Sequence, residues 1–352
     1  PLALGPRFVG TSSALTGSGG ELAELPRESM LETGFSDASK IKYVLQQRRI
    51  GMGQGFANAG HASAMAHLAS YYLPAGVVRE QLGGVGFYRF LKKLLASWDE
   101  RADDVVARLA DLAQRLFADD ALILSFTGSD EDYERFWAAG GALERTGTGE
   151  ALLEVPAPVK RNEAFIVPTD VCYAALGFDR RAFDADYTGA WQVAARALSY
   201  DYLWSEVRVK GGAYGAGFQT ARTGNLRFYS YRDPHLDETL ERFAGASAWL
   251  AAFDPADDEM EGYVVSTVAG FDTPLKARGL VRRQDGDFFG GRTPESRLET
   301  RTQMIETSAE QLRGLAGPIA RAVEEDGVCV CGNRDIIGAW SADRDVVDLL
   351  NE

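Results

Sequence analysis

The sequence predicts an α+β protein of two homologous modules, each an antiparallel sheet with helices packed on one face. Three observations carry this. Residues 187–332 read as helix, hairpin, several helices and a closing apolar strand. The first part of the chain repeats that order at an offset near 220. The two copies are separated by "LERTGTGEALLEVPAPVKRNEA", a stretch with little periodicity and several Gly and Pro residues. The predicted division is residues 1–158 and 159–352, and 352 residues are enough for two cores of ordinary size.

In the second module, Trp191, Ala195, Leu198 and Tyr202 recur at four, three and four residues, so a helix from about Tyr187 to Arg208 would present them on one face. Gly211 and Gly212 stop it. Strand-like runs from Tyr214 to Ala221 and from Asn225 to Tyr231 flank "RTGN", a turn composition suited to a hairpin. Helices are predicted to begin near His235, after Asp254-Pro255, after Thr293-Pro294 and at Ser308, where Gln311 completes a capping box. "GVCVCG" is the closing strand.

For the first module, "PRFVGTSSAL" pairs with "LRFYSYRDPHL", "TGFSDASKIKYVL" with "AAFDPADDEMEGYVV", and a helix near 103–117 followed by the strand "ALILSF" with the helix from Ser308 and "GVCVCG". Phe228 minus Phe8 gives 220 and Phe253 minus Phe35 gives 218, so the offsets agree. The repeat implies that module one is truncated at its N-terminus and lacks the counterpart of roughly residues 162–219. An open sheet edge and exposed apolar side chains around residues 6–15 are therefore expected.

Composition excludes several functions. A net charge of −14 argues against nucleic acid and anionic membrane surfaces as main partners. No apolar run approaches the roughly 18 residues of a membrane span, and no basic-then-apolar leader opens the chain, so a secretory signal is absent or was removed before Pro1 and a cytoplasmic setting is expected. Cys172, Cys329 and Cys331 lack metal-ligand spacing; on a strand, Cys329 and Cys331 would share one face as buried free thiols. His61 and His67 are six apart, neither one helical face nor a zinc spacing, and each reads as a surface or partly buried residue. No metal site is predicted in this chain. "GGAYGAG" lacks the Lys-Ser/Thr of a phosphate loop and leads into a strand. The acidic runs fall at helix starts, where carboxylates offset free backbone donors.

What remains is "SEVRVKGGAYGAGFQT". Arg208 at a helix end and Tyr214 at a strand start can project from one rim, because Gly211 and Gly212 let the backbone turn sharply. A guanidinium offers a fork of donors to a carbonyl, and a phenol can donate to an oxyanion. The residues alone equally permit Arg208 as a helix cap and Tyr214 as a strand aromatic.

The stretch from Tyr187 to Phe243, whose most specific element is R-x-x-G-G-A-Y-G followed by S-Y-R-D-P, resembles the fourth module of the presequence protease and falcilysin group of insulinase-like (pitrilysin) metallopeptidases. "GHASAMAHLASYYLPAGVVREQLGGVGFYRFLKKL" is similar to the third module. The likeness runs from about Pro6 to Asp335. It implies the C-terminal half of a four-module zinc endopeptidase that cleaves unfolded peptides inside a closed chamber. It places the zinc, bound outside this chain by an inverted H-x-x-E-H motif, in an N-terminal partner half. That motif is absent here. By motif, Tyr214 falls on the Tyr that steadies the oxyanion and Arg208 on the Arg that holds the substrate, with Gly211, Gly212 and Ala213 beside the bound peptide. The alternative the resemblance leaves open is a non-catalytic relative, a structural or peptide-binding subunit.

Overall fold

The computed structural model describes residues 7–117, 122–141, 154–183, 185–340 and 344–351. These fall into two compact units. One comprises residues 1–49, 90–154 and 275–291; the other comprises 50–89, 155–274 and 292–352.

The first unit is helical. The helix Gly19–Leu31 packs on Asp130–Ala138. The Asp132 carboxylate accepts from the Gly17 amide at 3.0 Å, and Arg27 Nη1 donates to the Gly140 carbonyl at 3.0 Å. Ser129 caps the second helix by accepting from the Asp132 amide at 3.1 Å. The helix predicted near 103–117 is present as Trp98–Leu116. The strands predicted at 6–15 and 121–126 are not: residues 7–15 and 122–127 carry no ladder, and no strand occurs among the described residues of this unit. A strand needs a hydrogen-bonded neighbour, and the described residues supply none. Phe8, Val9 and Leu15 are exposed, as expected, although no sheet edge accompanies them.

The second unit is built on six strands: β1 (Glu163–Ile166), β2 (Cys172–Asp179), β3 (Gly215–Thr220), β4 (Asn225–Tyr231), β5 (Val328–Gly332) and β6 (Asp345–Asp348). Their order across the sheet is β3-β4-β2-β5-β1-β6. The predicted hairpin is β3–β4, with Phe218 opposite Phe228. β2 is antiparallel to both β4 and β5, whereas β1 runs parallel to β5 and to β6. The sheet is thus mixed, not wholly antiparallel. The connection from β1 to β5 contains the hairpin and most of the helices, and a long crossover permits parallel pairing that a tight turn forbids.

Helices cover both faces of this sheet, where one covered face was expected. The alternation along β2 shows why: Cys172, Ala174 and Leu176 join one core while Tyr173 and Ala175 join the other. The larger core includes Trp191, Leu198, Leu203, Phe243 and Leu250. The second, on the opposite face, includes Leu68 of the helix Gly60–Ala69 with Tyr71, Tyr88, Phe165 and Leu349. Cys329 and Cys331 share this second face, and all three cysteines are buried and free. β1 and β2 are buried on both faces, so their sequences carry no apolar–polar alternation.

The caps are where the sequence places them. Thr293 and Ser296 bond reciprocally ahead of the helix Pro294–Ile305, and Ser308 and Gln311 do the same ahead of Ala309–Gly314. Further helices are Leu236–Ala251 and Asp257–Phe271. Among the described residues, no helix is long and apolar enough to cross a membrane.

Candidate functional site

The site is assembled where a helix reverses into β3. An α-helix over Ala190–Ala197 continues without a break, through Leu203, as π-helical turns at Leu198–Tyr202 and Trp204–Lys210. The Leu203 amide donates to the Leu198 carbonyl five residues back, and this widening shifts the buried stripe by one position. Leu203 and Val207 are buried in place of the expected Tyr202, which lies at the edge of the core with its hydroxyl donating to the Arg242 carbonyl at 2.7 Å.

The reversal depends on two glycines. A Cβ on Gly211 would meet the Val207 carbonyl oxygen at 2.5 Å, and Gly212 sits at φ +76°, in the left-handed region. The Gly212 amide returns to the Arg208 carbonyl at 3.0 Å, and the amide of buried Ala213 to the Val207 carbonyl at 3.2 Å. The Tyr214 amide then bonds the carbonyls of Tyr231 (3.1 Å) and Arg232 (3.2 Å), locking the start of β3 to the end of β4.

Arg208 and Tyr214 are thereby brought together. The Arg208 guanidinium lies 3.8 Å from the centre of the Trp204 ring and 5.7 Å from that of Tyr214. Stacking on an indole face holds the cation while leaving its N–H edges free, a contact worth roughly 0.5–1 kcal/mol at an exposed position. Tyr214 is 67% exposed, with its ring edge-on to Tyr231 at 5.8 Å. Neither the Arg208 guanidinium nor the Tyr214 hydroxyl has a hydrogen-bond partner among the described residues, so both are available to a ligand. Arg208 does not bond the carbonyls that end its helix, which is what a C-terminal cap would do.

Trp204 was not singled out from sequence. Its spacing of four from Arg208 was the available signal. The S-Y-R-D-P element is structural: the Ser230 hydroxyl accepts from the Ala174 amide at 3.2 Å, and the buried Asp233 carboxylate accepts from the His235 amide at 3.0 Å just before the helix Leu236–Ala251. Burial raises the Asp233 pKa.

The histidines behave differently from one another. His61 is partly buried as expected, edge-on to Tyr231 at 4.7 Å, and burial lowers its pKa. His67, expected at the surface or partly buried, is enclosed between two carboxylates: Nε2 lies 2.8 Å from Glu163 Oε2, and Nδ1 lies 3.0 Å from Glu80 Oε1. Tyr71 Oη donates to the same Glu163 oxygen at 3.4 Å. Burial opposes the imidazolium, but the bonds to Glu163 and Glu80 outweigh it and push the pKa up to about 9. Burial likewise opposes the Glu163 charge, which His67, Arg161 and Arg89 nonetheless hold below the usual carboxylate range. Glu163 is 96 residues from His67, beyond any spacing rule. Among the described residues, no group of three or more His, Cys, Asp or Glu side chains could hold a metal.

Two family models match. Residues 162–332 match the PreP C-terminal domain, and residues 3–94 match a peptidase-associated domain of the same subfamily. The chain is 28% identical over 335 residues to Protein HypA of Clostridium perfringens, covering 92% of this chain and 33% of that protein. It is 26% identical over 299 residues to the mitochondrial presequence protease of Yarrowia lipolytica, covering 82% and 30%. The chain belongs to the insulinase-like (pitrilysin) peptidase family.

This insulinase-like chain spans about a third of the length of the curated relatives it matches. Among solved structures, pitrilysin superposes with a TM-score of 0.61 at 15% identity, covering 95% of this chain and 36% of that one. The first half of the periplasmic protease PqqL from Escherichia coli gives 0.58 at 11% identity, covering 94% and 73%. A chain of Complex III2 from Candida albicans, Inz-5 bound, also gives 0.58 at 11%, covering 90% and 76%. At these identities the likeness is one of insulinase-like fold.

Proposed function

We propose that this chain is the C-terminal half of a zinc-dependent endopeptidase that degrades unfolded peptides in a closed chamber. Residues 1–158 and 159–352 act as its third and fourth insulinase-like modules. The H-x-x-E-H zinc site belongs to an N-terminal partner half, so the present chain by itself cleaves nothing and the setting is cytoplasmic. The observation that carries this reading is the pairing of an exposed Tyr214 with an Arg208 held on Trp204, both with free donors.

In this scheme Arg208 holds a backbone carbonyl of the bound peptide, and Gly211, Gly212 and Ala213 let that backbone approach closely. The Tyr214 hydroxyl donates to the oxygen that gains negative charge when the scissile carbonyl becomes tetrahedral. A donor aimed at developing charge lowers the barrier more than it strengthens ground-state binding.

The test is kinetic, with the chain reunited with its H-x-x-E-H half. Tyr214→Phe should lower kcat by about 10²-fold or more at nearly constant KM, the usual scale for losing an oxyanion donor. Arg208→Ala should raise KM and lower kcat together. An unchanged kcat in Tyr214→Phe would refute the assignment. The competing reading, a non-catalytic structural or peptide-binding subunit, draws on the fold shared with the Complex III chain; it requires both variants to keep the properties of the parent.

A further inference from the structure

The end of β2 carries a second feature, independent of the peptidase reading. Arg180 is only 2% exposed, yet it forms no ion pair with any described residue. Its guanidinium donates to the Ala185 carbonyl and faces the rings of Tyr187 (5.2 Å) and Trp191 (5.8 Å), while its Nε has no partner. A buried cation normally retains a counter-charge, because a carbonyl and aromatic faces offset only part of what water supplied.

Above this cation lies a cleft of about 530 Å³. Its charged lining is Arg180, Arg181 and Arg222 against Asp186 and Glu299, with the Tyr187 ring between. Arg181 is neutralised by Asp179, so the guanidinium groups without a carboxylate bonded to them are those of Arg180 and Arg222. The backbone builds it deliberately. The Arg180 amide donates to the Gly224 carbonyl at 2.8 Å, which draws the hairpin turn bearing Arg222 to the end of β2. Gly224 is at φ +100°, and a Cβ there would meet Asp179 Oδ1 at 2.1 Å. Asp179 in turn takes Arg181 in a two-pronged bond, with Nε to Oδ1 at 2.9 Å and Nη2 to Oδ2 at 2.7 Å. Arg222 is exposed and has no hydrogen-bond or ion-pair partner among the described residues. The cleft is at the far end of the hairpin from Tyr214, since β3 spans six residues, about 20 Å, between them.

We infer that this cleft is a binding site for a small oxyanion, a carboxylate or a phosphate group, held by Arg222 over the charge of Arg180. Both groups present the planar, charge-assisted acceptors that guanidinium forks recognise.

Calorimetric titration of the purified protein with inorganic phosphate and, separately, with acetate tests this at ionic strength matched with chloride. Saturable one-site binding is expected, weakened tenfold or more by Arg222→Ala, a surface change that leaves the thermal midpoint without ligand unaltered. Binding of phosphate but not acetate assigns a phosphate ligand, and the converse assigns a carboxylate. Absence of saturable binding by either anion overturns the inference, as does binding that Arg222→Ala leaves intact.

Discussion

The buried imidazolium of His67 makes stability depend on pH in a direction fixed by its partners. Its pKa is pushed up to about 9, from an ordinary value of 6.5, by Glu163 and Glu80. The folded state therefore binds the proton more tightly than the unfolded state. The stabilisation is fully present below pH 6.5 and is lost as pH rises through 9. A shift of this size corresponds to about 3 kcal/mol, of which about 1.5 kcal/mol disappears between pH 6.5 and 8. The other groups push differently. His61, whose pKa burial lowers, pushes the other way: it adds stability as pH rises toward the ordinary imidazole value of 6.5, and the last part of that gain falls just above it. Burial drives the Cys172 thiol up to about 12, so it costs stability only once the unfolded thiol ionises, above about pH 8.5.

Urea melts at pH 6.5, 7.25 and 8 span the range where His67 contributes most, and the difference between wild type and His67→Gln isolates it. The wild-type unfolding free energy should fall by about 1.5 kcal/mol across the series. His67→Gln keeps a donor toward Glu163 but cannot titrate. It should be destabilised by about 3 kcal/mol at pH 6.5, because two carboxylates lose their cation, and its profile should be flat. Equal slopes for the two proteins would refute the buried imidazolium. At acid pH the sign reverses: Glu163, held below the ordinary carboxylate range, contributes stability that is lost as pH falls.

Two further changes probe the scaffold that positions the site. Gly177→Ala should cost about 1–3 kcal/mol or prevent folding, since its Cβ would meet the Leu226 carbonyl oxygen at 2.2 Å where β2 crosses β4; chemical denaturation checks it, and a wild-type midpoint would show that the two strands can separate freely. Thr293→Ala removes the hydroxyl that accepts from the Ser296 amide at 3.2 Å and should cost about 1 kcal/mol in the same melts, with no change in anion or peptide binding.

What was legible in the sequence was local. Thr293 and Ser308 mark helix starts because a cap and its partner are three residues apart, and "RTGN" marks the hairpin because the turn chemistry lies inside it. Cys329 and Cys331 were placed on one face by the period of two alone. What was not legible depends on residues far apart. β1 and β2 are buried on both faces, so they carry no alternation, and β1 finds its neighbour β5 across a crossover that begins at Val167 and ends at Gly327. No spacing rule marks Arg180; only the packing of Tyr187 and Trp191 reveals that it is buried without an ion pair to a described residue.

The helix leading into the candidate site departs from the single buried stripe that the sequence predicts. Counting α-helical turns from buried Leu198, the next inward positions are Tyr202, Ser205 and Val209. That phase would bury a phenol and a serine and turn Val207 outward. The π turns advance the stripe by one, so Leu203 and Val207 are buried, Tyr202 reaches the Arg242 carbonyl with its hydroxyl, and Val209 is exposed. Leu203 and Val207 enter the core while Ser205 and Val209 leave its centre and Tyr202 moves to its edge, a net apolar gain that offsets the poorer geometry of a widened turn. Trp204 lies off the buried stripe, 43% exposed, and holds Arg208 at 3.8 Å beside Tyr214. The π-helical turns at Leu198–Tyr202 and Trp204–Lys210 thus set which residues of this segment are buried. A sequence reading that assumes a constant 3.6-residue period recovers Arg208 and Tyr214 as neighbours through the Gly211-Gly212 reversal, but not the indole on which Arg208 stacks.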